Sequence, residues 1–137
     1  MFTLGVLASL QPPVNAALAR RTGALPATSV SFIAGTLALI LVTVALGQTG
    51  GFSFVRGAPL WQLGGGLIGA VFVFGTVVLI PRLGAAGVIA ALIAGQLAGG
   101  LLIDRLGLFG LPSVGFTPFR LVGLALLIGG GLLVVHR

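Results

Sequence analysis

Two amides four residues apart, Gln11 and Asn15, fall inside an otherwise apolar stretch that also holds Pro12 and Pro13. Residues at that spacing share one face of a helix, so both side chains turn the same way. An amide without a partner is costly in hydrocarbon, which leaves such a face two uses. It can bond to another helix, or to carbonyls that the prolines free, as structural glue. It can instead line a pore or a substrate path. Gln96 poses the same choice, set among Ala91, Gly95 and Gly99 at four-residue spacing, small residues that let another helix approach. Ser31 is a weaker candidate for the same lining. Hydroxyls within a helix, here Ser29, Ser31 and Thr36, return bonds to their own backbone. Asp104 and Arg105 end a later apolar run, where they can form a local ion pair, be solvated at the helix end, or act in gating or coupling.

The chemistry these residues omit is equally informative. The chain has no cysteine, so a disulfide framework or a thiolate metal site is impossible. His136, alone beside the C-terminus, is not a metal site. No Glu, Lys or His lies within an apolar run, which leaves the peripheral Asp104 as the sole candidate for a membrane proton carrier. No nucleophile and base pair, phosphate-cradling loop or metal cluster is present, so neither catalysis nor a cofactor is expected.

The elements that must position these groups are membrane helices. The 137 residues are 58% hydrophobic and 6% charged, with a mean hydropathy of +1.27, outside the range of soluble domains. A bilayer core of ~30 Å needs roughly 20 apolar residues per helix. Residues 1–19, 26–47, 60–80, 84–103 and 119–135 supply five such stretches. The expected fold is an all-α membrane protein with five transmembrane helices, 1–137 forming a single unit. The first stretch lacks a basic n-region and a small-residue cleavage site, so it reads as a span and not as a removed signal peptide. Short turns are expected at Arg20-Arg21-Thr22-Gly23 and Pro81-Arg82-Leu83, with longer connections at 48–59 and 104–118. Phe109, Phe116 and Phe119 suit the headgroup layer, and Trp61 an interfacial anchor. The spacing of Gly65 and Gly69 suits close helix packing. No internal repeat is evident.

All seven cations are arginines. With five spans, Arg20, Arg21, Arg82 and Arg137 fall on one side of the membrane, and Arg56, Arg105 and Arg120 on the other. A bias this small does not fix orientation by the positive-inside rule, so the chain is expected to insert both ways and pair as an antiparallel homodimer. The competing expectation is a fixed topology set by the early Arg20-Arg21 pair. Isolated arginines between apolar runs form no basic stripe, so nucleic acid is not an expected partner.

Taken in order, these residues resemble the YdcZ-like family of the drug/metabolite transporter superfamily, small bacterial inner-membrane proteins described as exporters. The resemblance runs through Gln11, Val14-Asn15-Ala16 and Leu18, then Ser31-Phe32 and Gly35. It continues through Trp61, Gly65-Gly66, Gly69-Ala70, Phe72-Val73 and Pro81-Arg82-Leu83-Gly84. Its most specific part is Gly95-Gln96-Leu97 with Leu102-Ile103-Asp104 and Gly107-Leu108-Phe109-Gly110, followed by Arg120-Leu121-Val122-Gly123. It implies a half-size transporter unit in the bacterial inner membrane, working as a dual-topology homodimer, an oppositely oriented pair or a tandem fusion. Arg105 departs from the family pattern, in which histidine often follows the aspartate. The departure weakens a role for a titrating group there.

The combined expectation is a multi-pass membrane transporter that moves a small polar or amphipathic solute through the interface of an antiparallel homodimer by alternating access. Gln11, Asn15, Gln96 and Ser31 are its candidate substrate-binding residues. Its expected partners are the lipid bilayer, the solute and an inverted second copy. Neutral amides do not select a cation by charge, which sets the chain apart from the related small multidrug resistance proteins with their membrane glutamate. The alternatives are a dual-topology channel with Phe72 or Phe74 along its pore, and a non-transporting membrane scaffold.

Overall fold

The computed structural model describes residues 1–135, so His136 and Arg137 lie outside the described residues, and with them one of the arginines counted above. The described residues are almost entirely helical: α1 (Phe2–Thr22), α2 (Ala24–Ala45), α3 (Leu60–Leu63), α4 (Gly65–Leu83), α5 (Ala85–Leu106) and α6 (Pro118–Val135). Two 3₁₀ stretches, Thr49–Gly57 and Leu108–Gly110, occupy the longer connections.

Among the described residues, four helical segments are long and apolar enough to cross a membrane: Ala24–Ala45, Leu60–Leu83, Ala85–Leu106 and Pro118–Val135. The fifth expected span, α1, is 21 residues long but is not among them. Gln11, Pro12, Pro13, Asn15, Arg20 and Arg21 dilute its apolar character.

Single glycines make the tight turns, where the sequence suggests groups of three or four residues. Arg20, Arg21 and Thr22 remain inside α1, and the chain reverses at Gly23 with φ +90° and ψ 161°. Pro81, Arg82 and Leu83 likewise complete α4, and the break comes at Gly84 with φ +79° and ψ 158°. A side chain is strained in that region of φ, so glycine ends the helix where arginine and proline do not. Gly47, at φ +66°, closes α2 as the Gln48 N–H bonds back to the Thr43 carbonyl at 2.9 Å.

The chain divides into two compact units, Met1–Pro81 and Arg82–Arg137. In the first, α1 packs on α2. Gly69 of α4 admits the Phe32 ring of α2 so closely that a Cβ there would stand 3.3 Å from its Cζ. In the second unit α5 packs on α6, with Gly87 against Val135 and Gly131 against Ala90. Among the expected packing glycines, Gly69 makes a close approach, whereas Gly65, Gly95 and Gly99 have open space around them.

Large apolar side chains are exposed along the helices, Leu39 and Leu41 on α2 and Leu126 and Leu133 on α6 among them. That outward apolar surface is what a hydrocarbon solvent requires.

Candidate functional site

Helix α1 holds its polar residues unequally. Its buried face is Pro12, Asn15 and Ala16, one helical stripe, and Gln11 is exposed at the edge of that stripe. The four-residue spacing therefore does not give the two amides a common environment. Asn15 is 6% exposed, and its Nδ2 has no hydrogen-bond partner among the described residues. Pro12 and Pro13 have no N–H, which deprives the carbonyls of Ala8 and Ser9 of their usual donors one turn on. Asn15 does not donate to either. Leaving a buried donor unpaired costs about 1–3 kcal/mol, and among the described residues the Asn15 Nδ2 joins no helix to another.

Three hydroxyls of the first unit bond within their own helices. Thr28 donates to the Ala24 carbonyl at 2.9 Å, and Thr76 to the Val73 carbonyl at 2.8 Å, and both residues are buried. Ser29 donates to the Leu25 carbonyl at 3.0 Å. Ser31 is half-buried.

In the second unit, Gln96 and Asp104 line one open cleft of about 440 Å³ between α5 and α6, together with Leu97, Gly100, Leu101, Arg120 and Gly123. Gln96, Gly100 and Asp104 follow one another at four-residue intervals down α5, which brings them onto one face. Asp104 accepts a hydrogen bond from Arg120 Nη1 at 3.1 Å, closing an ion pair. The local pairing considered for Asp104 and Arg105 is not formed; Arg105 is exposed and does not line the cleft. Adjacent helical residues point about 100° apart, so they do not face each other.

Several local features place Arg120 for that contact. The Val114 N–H donates to the Asp104 carbonyl at 2.8 Å, folding the connection back on the end of α5. Thr117 then starts α6, its Oγ1 accepting from the Arg120 N–H at 3.3 Å, with Pro118 as the first helical residue. An aspartate in the last turn of α5 and an arginine in the first turn of α6 each oppose their own helix dipole. Together they neutralise that mismatch. Arg120 is the residue that sequence reasoning left out of the site, and the signal for it was available: the sole acid needs a cation that is not its neighbour in sequence.

A further groove of about 260 Å³ beside Leu83, Gly87, Gly131 and Val135 is lined by apolar residues throughout, and offers a polar solute nothing.

A family model described as "Putative inner membrane exporter, YdcZ" matches residues 1–133. The chain belongs to the YdcZ family. It is 38% identical over 92 residues to the inner membrane protein YdcZ of Escherichia coli (strain K12), a match that covers 66% of this chain and 60% of that protein. The chain thus spans less than two thirds of that relative's length. No solved structure matches. Membership of the YdcZ family, with several apolar helices able to cross a bilayer, makes this a multi-pass protein of the inner membrane.

Proposed function

We propose that this YdcZ-family chain is a half-size exporter, and that two copies of opposite orientation form the transporting unit. The observation that carries the reading is the family match over residues 1–133, whose description is of an inner-membrane exporter and not of an enzyme class. In this reading residues 1–137 form one five-helix unit in which α1 also crosses. Its 21 residues extend about 32 Å at 1.5 Å per residue, enough for a ~30 Å core. An odd number of crossings combined with a nearly even division of arginines favours insertion in both orientations.

The solute path passes Asn15 near the middle of the bilayer. Its buried, unpartnered Nδ2 supports this, because a solute oxygen that accepts from it offsets the standing cost of the unpaired donor. In the second unit Gln96, at the middle of α5, lines a cleft that ends at the Asp104–Arg120 pair in the last turn, and there the pair acts as a gate to a solute held by Gln96. Gln11 and Ser31 contribute at the edge of the path. Alternating access follows from the dimer's symmetry: exchanging the conformations of two inverted copies turns an inward-open state into an outward-open one. The residues proposed for the path are uncharged amides and a hydroxyl, and the Asp104–Arg120 pair is compensated, so the solute is polar or amphipathic and need not be a cation.

Reconstitution into proteoliposomes, with a panel of neutral and charged solutes, tests the transport reading. Saturable, slow flux is the expected result; single-channel conductance would make the protein a channel, and no flux of any solute would favour a scaffold. C-terminal reporters active on both sides of the membrane are expected for the dimer, and activity confined to one side would end the antiparallel arrangement.

A further inference from the structure

The apolar groove of about 260 Å³ between α5 and α6 lies wholly within the second unit, and its dimensions suit one kind of occupant. Its α5 side runs from Gly87 to Ala94 and its α6 side from Ile128 to Val135, about 10 Å along each helix. The two helices touch at its floor. A Cβ on Gly131 would stand 3.3 Å from the Cβ of Ala90, and one on Gly87 would stand 3.3 Å from Val135 Cγ2. A helix 10 Å across and of the same length would take roughly 800 Å³. The groove therefore admits a single hydrocarbon chain and not an inserted helix.

It is also placed as a lipid tail is placed. The groove begins beside Leu83 at the start of α5, and Ala94 stands about 14 Å along the helix from Ala85, the depth of one leaflet of a ~30 Å core. Arg82 precedes Leu83 in the last turn of α4, exposed and with no ion pair among the described residues. The chain's one acid, Asp104, is in the last turn at the other end of α5 and already bonded to Arg120. The mouth of the groove thus carries a free cation at the level where a bilayer holds its phosphates.

We infer that this groove binds one acyl chain of an anionic glycerophospholipid, whose phosphate is held by Arg82. A guanidinium matches phosphate oxygens with two parallel N–H bonds. A zwitterionic lipid offers the same tail but brings an ammonium that offsets its phosphate, so the cation favours the anionic headgroup. The site involves neither Asn15 nor Gln96 and does not depend on the transport reading. A lipid bound there joins α5 to α6 at the end remote from the Asp104–Arg120 bond.

Native mass spectrometry of the full chain tests the site, after exchange in detergent with equal amounts of dioleoyl phosphatidylglycerol and dioleoyl phosphatidylcholine. The parent is expected to retain one phosphatidylglycerol per chain, in preference to phosphatidylcholine by about fivefold or more, as one arginine near the headgroups provides. Arg82→Gln should bring the two lipids within about twofold of each other. Ala91→Leu fills the groove from an exposed position and should lose most of the bound lipid of either kind. Should that variant fail to assemble, Ala94→Leu fills the same groove. Equal retention of phosphatidylglycerol by the parent and both variants would overturn the inference, as would a parent that retains no lipid. A paired parent without bound lipid, whose pairing Ala91→Leu breaks, would also overturn it and make the groove an interface between copies.

Discussion

Asn15 and Asp104 are the two polar side chains that the structure treats most differently. Asn15 is an uncharged amide, 6% exposed, with a donor that meets nothing, whereas Asp104 is a charge, 40% exposed, bonded to an arginine of similar exposure. Residue type alone points to the carboxylate, since ionisable groups in membrane helices are functional sites by default. Their surroundings reverse that order. The aspartate sits in the last turn of its helix with its charge compensated, and the amide sits within its helix with a cost of about 1–3 kcal/mol that nothing among the described residues relieves. A group left unsatisfied within a packed stripe is the better sign of a solute.

The contrast can be sharpened by a graded set of changes. The largest effect on stability is expected at the turn glycines: Gly23→Val or Gly84→Val forces a β-branched residue to positive φ, which costs about 1–3 kcal/mol. Both should lower the thermal midpoint in detergent. Gly69→Val should cost about 1–2 kcal/mol by pressing a side chain on the Phe32 ring. Phe32→Leu, measured in the same background, should recover part of that loss. Arg120→Ala removes a half-exposed pair and should cost only about 0–1 kcal/mol of stability. Its visible consequence is a faster, leakier flux if the pair is a gate. Arg105→Ala should fall within about 0.5 kcal/mol of the parent, as for an exposed side chain away from any such feature.

The helices were legible from the sequence because hydrocarbon demands long apolar runs and glycine ends them. The stretches 26–47, 60–80, 84–103 and 119–135 lie within a few residues of the four candidate spans. Less legible were features that depend on which way a side chain points. Gln11 and Asn15 are neighbours by spacing, but the buried stripe is narrow enough to take one and leave the other. Asp104 pairs with Arg120, sixteen residues away, because the connection folds back at Val114, and no local pattern announces that. Arg20 and Arg82 suggested turns, yet both are good helix formers, and the helices continue to the next glycine.

The most direct test of this ordering is the initial efflux rate of one transported solute from proteoliposomes, compared for Asn15→Ala and Asp104→Asn at equal amounts of assembled protein. Loss of the Asn15 donor is expected to reduce the rate about tenfold or more, while Asp104→Asn retains it within about threefold. A rate near that of the parent for Asn15→Ala, with flux abolished in Asp104→Asn, would contradict the account and return the site to the charged pair.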